Sequence, residues 1–177
     1  GLEYRDTAKN KVYLPVSYGS GAGWLAAHHP GLTKVTSYAI LEGLRSLYPG
    51  LVAYAGRIEQ ELQQTGWAKT LFGRQRYLPG VWVRSQHAEA VRQAVNMFPQ
   101  GTSADILKET LVRLAVAFAP YDAHLLFTVH DEVVLEVRAT QQRAVLPIVQ
   151  AMTAWFTPIE LPVVVKVGPN WAEMKEC

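Results

Sequence analysis

The chain has 177 residues, 49% of them hydrophobic and 18% charged, with a formal net charge of +2. This composition fits a globular protein of one domain or two small lobes with a real core. It excludes a membrane-spanning helix, because no apolar run approaches the roughly 18 residues required. It also excludes an internal disulfide, because Cys177 is the only cysteine, and a reducing compartment fits. The N-terminus has no signal-peptide pattern and no initiator Met, which indicates processing or a fragment.

The first third of the chain is predicted to be helical. Helices are predicted at residues 3–14, 33–46 and 50–64. In the first of them Arg5, Lys9 and Tyr13 are spaced i, i+4, i+8, which places them on one face. Pro15 and the glycine-rich segment 18–23 disturb this helix at its end.

The middle of the chain combines short extended runs with a long helix. Residues 67–78 contain two short extended runs around the turn Phe72-Gly73-Arg74. A long helix is predicted from about Gln86 to Phe118, with Pro99 and Gly101 as weak points in its first half.

Charge is unevenly distributed along the chain. From Lys69 to Arg92 five basic residues stand against one acid, whereas from Asp131 to Cys177 there are six acids and four bases. A basic middle and an acid-bearing end could bind a polyanion and hold cations. A solvated basic face is the alternative interpretation of the same charges.

Residues 124–137 give the clearest signal in the sequence. Two apolar, β-rich runs at 124–129 and 133–137 flank His130-Asp131-Glu132, which predicts a hairpin with titratable residues in its tight connection. Neighbouring carboxylates raise each other's pKa unless a cation neutralises them, and Mg²⁺ is the natural partner because it combines carboxylates with substrate phosphates. A polar, solvated turn is the alternative. A helix near 140–156 and a strand near 161–167 complete a predicted α+β fold.

Four segments resemble, in order, parts of the family A (DNA polymerase I type) DNA polymerases. The hairpin sequence 126–137 resembles motif C of the palm, whose core is His-Asp-Glu. The other three resemble the fingers segment Gly-Arg-x-Arg-Tyr-Leu-Pro, the palm helix that precedes motif C, and the closing Gly-x-Asn-Trp; they lie at residues 70–79, 96–105 and 168–171.

The N-terminal helix is similar to motif B of the same family, the fingers helix that meets the incoming nucleotide. The family pattern has Arg, Lys and an aromatic residue at intervals of four, then Tyr-Gly after another four. Arg5, Lys9 and Tyr13 keep the first two intervals, but Tyr18-Gly19 arrives one residue late. We therefore predict a local bulge near Pro15. Anchoring on Tyr18 instead puts Asn10 at the lysine position and Leu14 at the aromatic one.

The resemblance implies a DNA polymerase that joins a primer 3′-hydroxyl to the α-phosphate of a dNTP with two Mg²⁺ ions. It makes Asp131 a metal ligand, with Glu132 as a second carboxylate and His130 at the primer end. Lys9 and Arg5 would neutralise the triphosphate. The predicted contacts to the nascent base pair are Tyr13 and Tyr18. Those to duplex DNA are Arg92, Asn96 and Gln100. Arg74 and Arg76 are predicted to contact phosphate or to have a structural role.

The resemblance also divides the chain. It implies a fingers-like helical portion over 1–88 and a palm-like portion over 89–177, an incomplete polymerase right hand. The family's motif A aspartate and its thumb have no counterpart in this sequence. We therefore expect a chain that is inactive alone and works on primer–template DNA and dNTPs with a complementary polymerase chain or N-terminal portion. It should act in the cytoplasm of a bacterial or phage-infected cell, or in an organellar matrix, and should not be secreted.

Two other functions and a second nucleotide motif compete with this interpretation. A single-subunit, phage-type RNA polymerase shares the architecture, but its motif C usually has Ser where Glu132 stands. A non-catalytic nucleic-acid-binding module derived from a polymerase would explain the missing motif A, but not the intact 130–132 triplet or Lys9. The glycines at 19–23 could form a nucleotide-binding loop, but the Lys-Ser/Thr that should follow such a loop is missing.

Overall fold

A computed structural model describes residues 9, 12, 14–17, 19–153, 155–156 and 161–176. The fold is α+β, as predicted. The helices are α1 (Leu14–Ser17), α2 (Ala22–His28), α3 (Lys34–Leu47), α4 (Pro49–Thr65), α5 (His87–Phe118) and α6 (Gln142–Thr153). The strands form antiparallel pairs, β1 (Trp67–Lys69) with β2 (Gln75–Tyr77), β3 (Ala123–Val129) with β4 (Glu132–Val137), and β5 (Lys166–Val167) with β6 (Lys175–Glu176). Single 3₁₀ turns lie at Pro79–Trp82, Ala139–Gln141 and Trp171–Glu173.

Most predicted elements are confirmed within a few residues. The helices predicted at 33–46 and 50–64 are α3 and α4, the long helix is α5, and the extended runs at 67–78 are the β1–β2 hairpin. The helix predicted at 140–156 is shorter, since α6 covers 142–153. The helix predicted at 3–14 lies mostly outside the described residues. No helix in the described part of the chain is long and apolar enough to cross a membrane.

Several elements differ from the prediction, among them helix α1, which contains Pro15, and strand β6, which was not predicted. The strand predicted at 161–167 is wrong over 161–165, because strand pairing begins only at Lys166, opposite Glu176 of β6. Pro162 has no N–H with which to join a ladder. Helix α2 was not predicted, because the glycines before and within it indicated a loop. Its Leu25 is nevertheless fully buried, so packing outweighs the cost of Gly23 in the helix.

Local signals explain where the helices α3 and α4 begin and end. At the start of α3 the Thr33 hydroxyl accepts a hydrogen bond from Thr36 N (3.1 Å), and Thr33 N donates to the Thr36 hydroxyl (2.8 Å). This reciprocal cap satisfies two otherwise unpaired N–H groups. Helix α4 starts with Pro49 at its first position and ends at Thr65, and the φ of 74° at the following Gly66 suits a residue without a side chain.

The chain forms two compact units, Gly1–Thr102 and Ser103–Cys177. In the first unit a core forms around Leu62 of α4 and Ala94 of α5, and a smaller cluster forms around Leu25. In the second unit the core forms around Leu114 of α5 and Val145 of α6. The predicted functional boundary between residues 88 and 89 is a different division and stays a prediction.

Pro99 lies inside α5 and removes one helical hydrogen bond, because proline has no N–H to donate to the carbonyl of Val95. The hydroxyl of Tyr54 on α4 donates to that carbonyl instead, at 2.8 Å. Burial raises the pKa of Tyr54, while Arg57 opposes the rise. The Tyr54 side chain on α4 therefore replaces the backbone donor that is missing in α5.

Tyr54→Phe is expected to lower the free energy of unfolding by about 1 kcal/mol, because the Val95 carbonyl loses its donor. Urea unfolding measures the change. Tyr38→Phe is the matched control, since the Tyr38 side chain on α3 is well exposed. Because the folded-state pKa of Tyr54 is raised, its contribution should be complete below the ordinary tyrosine pKa and disappear as the pH rises through the folded value. A Tyr54 variant as stable as the Tyr38 variant would contradict this role.

Candidate active site

The β3–β4 hairpin carries the predicted catalytic triplet at its tip. Val129 pairs with Glu132, so His130 and Asp131 form a two-residue turn. His130 has a φ of 55°, in the left-handed region that costs most side chains about 1–2 kcal/mol. Two-residue hairpin turns require positive φ, which glycine or asparagine usually supplies. A histidine here carries backbone strain of the kind found at functional sites.

The side chains of His130, Asp131 and Glu132 are all exposed. Two adjacent carboxylates at an exposed tip are a donor set that suits a Mg²⁺ ion shared with substrate phosphates. Among the described residues no group of three or more His, Cys, Asp or Glu side chains is placed to hold a metal. The donor set therefore fits a metal held partly by groups that are not in the described residues, such as substrate oxygens.

The C-terminal segment supports the middle of this hairpin. The ring of Phe127 on β3 lies 5.1 Å from that of Trp171, centroid to centroid. Trp171 begins a 3₁₀ turn that Asn170 caps, since its side-chain oxygen accepts from Ala172 N and Glu173 N at 3.1 and 3.2 Å. The segment that resembles the family's closing Gly-x-Asn-Trp thus places an aromatic ring against the motif C strand.

An ion cluster fixes the other end of the hairpin. Arg138 Nε donates to the Asp122 carboxylate at 2.6 Å, and the His124 ring nitrogen lies 3.0 Å from its second oxygen. The hydrogen bond from Arg138, followed by that from His124, lowers the pKa of Asp122. The carboxylate stays ionised at neutral pH, and its stabilising contribution should be lost as the pH falls through its lowered pKa.

The predicted duplex-binding residues lie along α5. Arg92 and Gln100 are exposed and Asn96 is partly buried. Arg92 forms an ion pair with Glu89, one turn earlier. The spacing of four residues places the three side chains on one stripe of the helix, as predicted.

Arg74 and Arg76 have different surroundings. The guanidinium of Arg74 donates to the carbonyl of Gly101 at 2.9 Å, which is a structural contact. Arg76 donates to the side-chain oxygen of Gln93 at 2.8 Å. Arg76 is exposed and Gln93 is partly buried. A phosphate contact by either arginine stays a prediction.

Lys9 is the one predicted triphosphate ligand that the structure describes. It is exposed, and its backbone is π-helical, as is that of Val12. π-helical geometry accommodates one extra residue in a helix. Both π-helical residues come before Pro15, near which the bulge was predicted. Three predicted nucleotide contacts lie outside the described residues: Arg5, Tyr13 and Tyr18.

Two glycines have close contacts that were not predicted from the sequence. A Cβ on Gly19, whose φ is 88°, would lie 2.7 Å from Arg92 Cγ. A Cβ on Gly101 would lie 2.6 Å from a methyl carbon of Thr70, just before the turn between β1 and β2. Next to Gly101, the Thr102 hydroxyl accepts a hydrogen bond from Leu71 N at 3.0 Å. A glycine inside a helical pattern was the available signal, since it often marks a close approach.

Comparison with known proteins adds independent information. The family model "DNA polymerase family A" matches residues 2–173. The chain is 35% identical to the thermostable DNA polymerase I of Thermus filiformis over 96% of its own length and 21% of that protein. It is 33% identical to DNA polymerase I of Pseudomonas aeruginosa over 97% of its length and 19% of that protein.

A solved structure shows the same likeness. The POL domain of Pol1 from M. smegmatis, in a complex with DNA primer-template and dNTP, matches with a TM-score of 0.75 and 26% identity. The match covers 80% of this chain and 26% of that one. The chain therefore spans about a fifth of the length of the curated relatives it matches and about a quarter of this solved chain.

Proposed function

The chain belongs to DNA polymerase family A, and on that premise we propose that it takes part in template-directed DNA synthesis. It would supply the motif C side of the active site and the surface that binds dNTP and duplex DNA. The observation that carries this proposal is the exposed pair of carboxylates at the hairpin tip, Asp131 in the two-residue turn and Glu132 at the start of β4, within a chain that the family model matches almost throughout. The relatives are DNA polymerases, which favours the DNA enzyme over the RNA enzyme.

In the proposed reaction the primer 3′-oxygen forms a bond to the α-phosphorus of the dNTP. The bond from that phosphorus to the pyrophosphate oxygen breaks, and the hydroxyl proton passes to water. Asp131 and Glu132 would hold Mg²⁺, which when bound would supply a lower pKa for the hydroxyl and positive charge beside the phosphates. Lys9 adds positive charge at the triphosphate, and His130, held at positive φ, contacts the primer end.

Duplex binding is assigned to the stripe on α5. Asn96 and Gln100 present amides that can bond to minor-groove acceptors common to all base pairs, which suits an enzyme that must accept any sequence. Arg92 supplies a cation for the backbone phosphates. Tyr13 and Tyr18 are proposed to bound the nascent base pair.

We further propose that the second metal-binding aspartate, that of motif A, comes from a polypeptide outside residues 1–177. Asp131 and Glu132 offer ligands from one side, whereas a two-metal site needs ligands around both ions. Leu126 and Phe127 on β3 are about half exposed, and β3 pairs only with β4 among the described strands. An apolar strand with an open edge is a surface on which a further strand could pair.

The test is primer extension in Mg²⁺ by the purified chain, alone and mixed with a family A polypeptide that carries the thumb and motif A. We expect synthesis only from the mixture. Replacing the motif A aspartate by asparagine in the added polypeptide is the matched control and should abolish it. Robust synthesis by a pure monomer of residues 1–177 would contradict the proposal, because it would require a second carboxylate site within the chain.

Gly19→Ala should weaken primer–template binding through Arg92, because a methyl group at position 19 occupies the place of the arginine stem. We expect the salt dependence of binding to fall by about 0.9 in log–log slope, the value for one lost phosphate contact. Arg92→Ala should give the same change, and the double variant should add nothing further.

Gly31→Ala is the matched control for this prediction. Gly31 also has a left-handed φ, 97°, but no atom lies within 4 Å of a Cβ built on it. It therefore reproduces the backbone strain without the contact. Equal loss of DNA binding in the Gly19 and Gly31 variants would show that strain, and not Arg92, is responsible.

A further inference from the structure

Residues 66–88 combine cations and aromatic rings in a way that the proposed mechanism does not use. This segment contains four basic residues, four aromatic rings and no acid. The basic residues are Lys69, Arg74, Arg76 and Arg84, and the rings are those of Trp67, Phe72, Tyr77 and Trp82. Aromatic residues interleaved with cations are typical of surfaces that bind single-stranded nucleic acid.

Three of these rings form a continuous surface, here called the aromatic platform: Trp67, Tyr77 and Trp82. Trp67 and Tyr77 are cross-strand partners with ring centroids 4.9 Å apart, and Tyr77 lies 6.4 Å from Trp82. Their exposed fractions are 40%, 51% and 55%. Aromatic residues of this size are usually buried more deeply, so the platform offers ring surface to a partner.

The platform is held in place before any partner binds. The indole nitrogen of Trp82 donates to the Gln63 carbonyl at 2.9 Å, and the preceding residue, Val81, is buried in the core. Gly66 lies beneath the rings, where a Cβ would be 2.5 Å from Trp82 and 2.9 Å from Tyr77. Fixed rings lose little conformational entropy on binding, which favours affinity.

Two cations each follow a ring of the platform by two residues. Lys69 follows Trp67 by two residues on β1, so both side chains lie on the face opposite the buried Ala68. Arg84 follows Trp82 by two residues and is exposed. Within the described part of the chain neither cation has a hydrogen bond or ion pair. Two acids of this unit are paired elsewhere, Glu59 with His87 at 3.5 Å and Glu89 with Arg92.

A cleft of about 470 Å³ opens next to the platform, lined by Tyr77, Ser85, Gln86 and Gln93 among others. Side-chain amides and a hydroxyl can form hydrogen bonds with the edges of a base. Glu89 also lines the cleft, and the amide of Gln93 donates to its carboxylate at 2.8 Å. The cleft can therefore receive a polar, planar group adjacent to an exposed ring.

We propose that the aromatic platform binds unpaired DNA, the single-stranded part of the template, by stacking its bases on Trp67, Tyr77 and Trp82. Bases in a duplex cover each other's faces, so only an unpaired strand offers faces to the rings. Lys69 and Arg84 would contact its phosphates. A strand without sequence preference suits the platform, since every base has a face to stack. The inference rests on the proposed polymerase function, which supplies a template strand.

The test measures anisotropy of a labelled dT12 oligonucleotide with the purified chain, without Mg²⁺ or dNTP. Its result is therefore independent of whether the chain takes part in synthesis. Trp82→Ala should weaken binding about 10-fold, the loss of one stacked base, whereas Trp82→Phe should keep it within about 3-fold because a ring remains. Tyr38→Ala, which removes a 62% exposed ring elsewhere in the first unit, should change nothing.

The cations provide a second measurement that does not disturb the rings. Lys69→Gln with Arg84→Gln should lower the salt-dependence slope by about 1.4, the value for two phosphate contacts to a single strand.

Wild-type dT12 binding in both the folded Trp82→Ala chain and this double variant would overturn the proposal. Should Trp82→Ala fail to fold by circular dichroism, the double variant decides alone. If the Trp82→Ala variant loses as much affinity for a blunt duplex as for dT12, the platform stacks on helix ends and the assignment to unpaired DNA is wrong.

Discussion

Replacing Asp131 with asparagine is expected to reduce primer extension by at least about 10³-fold, while primer–template affinity stays within about 2-fold. Asparagine favours turns as aspartate does, so the hairpin should keep its shape and lose only the charge that is proposed to hold the metal. Binding should survive because the phosphate contacts are assigned to basic residues elsewhere in the chain. The rates should be measured by single-turnover extension in the mixture of the chain with the polypeptide that carries motif A.

Glu136→Gln is the matched control for this variant. Glu136 also carries an exposed carboxylate on β4, but it pairs with His124 at the far end of the strand from the turn. It should leave extension within about 2-fold, because its charge is remote from the tip. Extension at the wild-type rate by the Asp131 variant would remove the basis for a metal site on this hairpin.

Lys9→Ala is expected to raise the KM for dNTP by about 10–100-fold, because the triphosphate would lose the cation that is proposed to contact it. Asn10→Ala should leave that KM unchanged within error. The two substitutions distinguish the two alignments of motif B, which the sequence leaves open because Tyr18-Gly19 comes one residue late. Steady-state extension at varied dNTP measures both variants under the same conditions.

The opposite result is equally informative. A larger KM in the Asn10 variant than in the Lys9 variant would show that the pattern is anchored at Tyr18, with Leu14 in the sugar-facing position. Similar small effects in both would mean that neither side chain contacts the triphosphate.

The hairpin could be predicted from the sequence because it depends on local signals. Two apolar runs, a tight connection and a familiar motif occur within residues 124–137, and the observed strands begin and end within a residue or two of that prediction. The exposed positions of the motif C triplet follow from the same pattern, since a two-residue turn leaves little room for burial.

What could not be predicted depends on contacts between residues far apart in the chain. The close approach of Gly19 to Arg92 and that of Gly101 to Thr70 link positions separated by tens of residues. No local pattern encodes such a pair. For the same reason α2 was missed, because its formation depends on burying Leu25 in a cluster with Leu41 of α3.

A shift in the strand pairing of β3, between Leu125 and Phe127, restricts where the motif C hairpin can change in length. Leu125 pairs with Leu135 and Phe127 with Val134, so Leu126 is an extra residue without a partner of its own. Deleting a residue of β3 away from this position would shift the pairing of the residues between the deletion and Leu126 by one place and turn their side chains to the opposite face. Deleting Leu126 would leave both sets of pairs in register. Position 126 is therefore where we expect a single-codon deletion to be tolerated, and where related hairpins should differ in length.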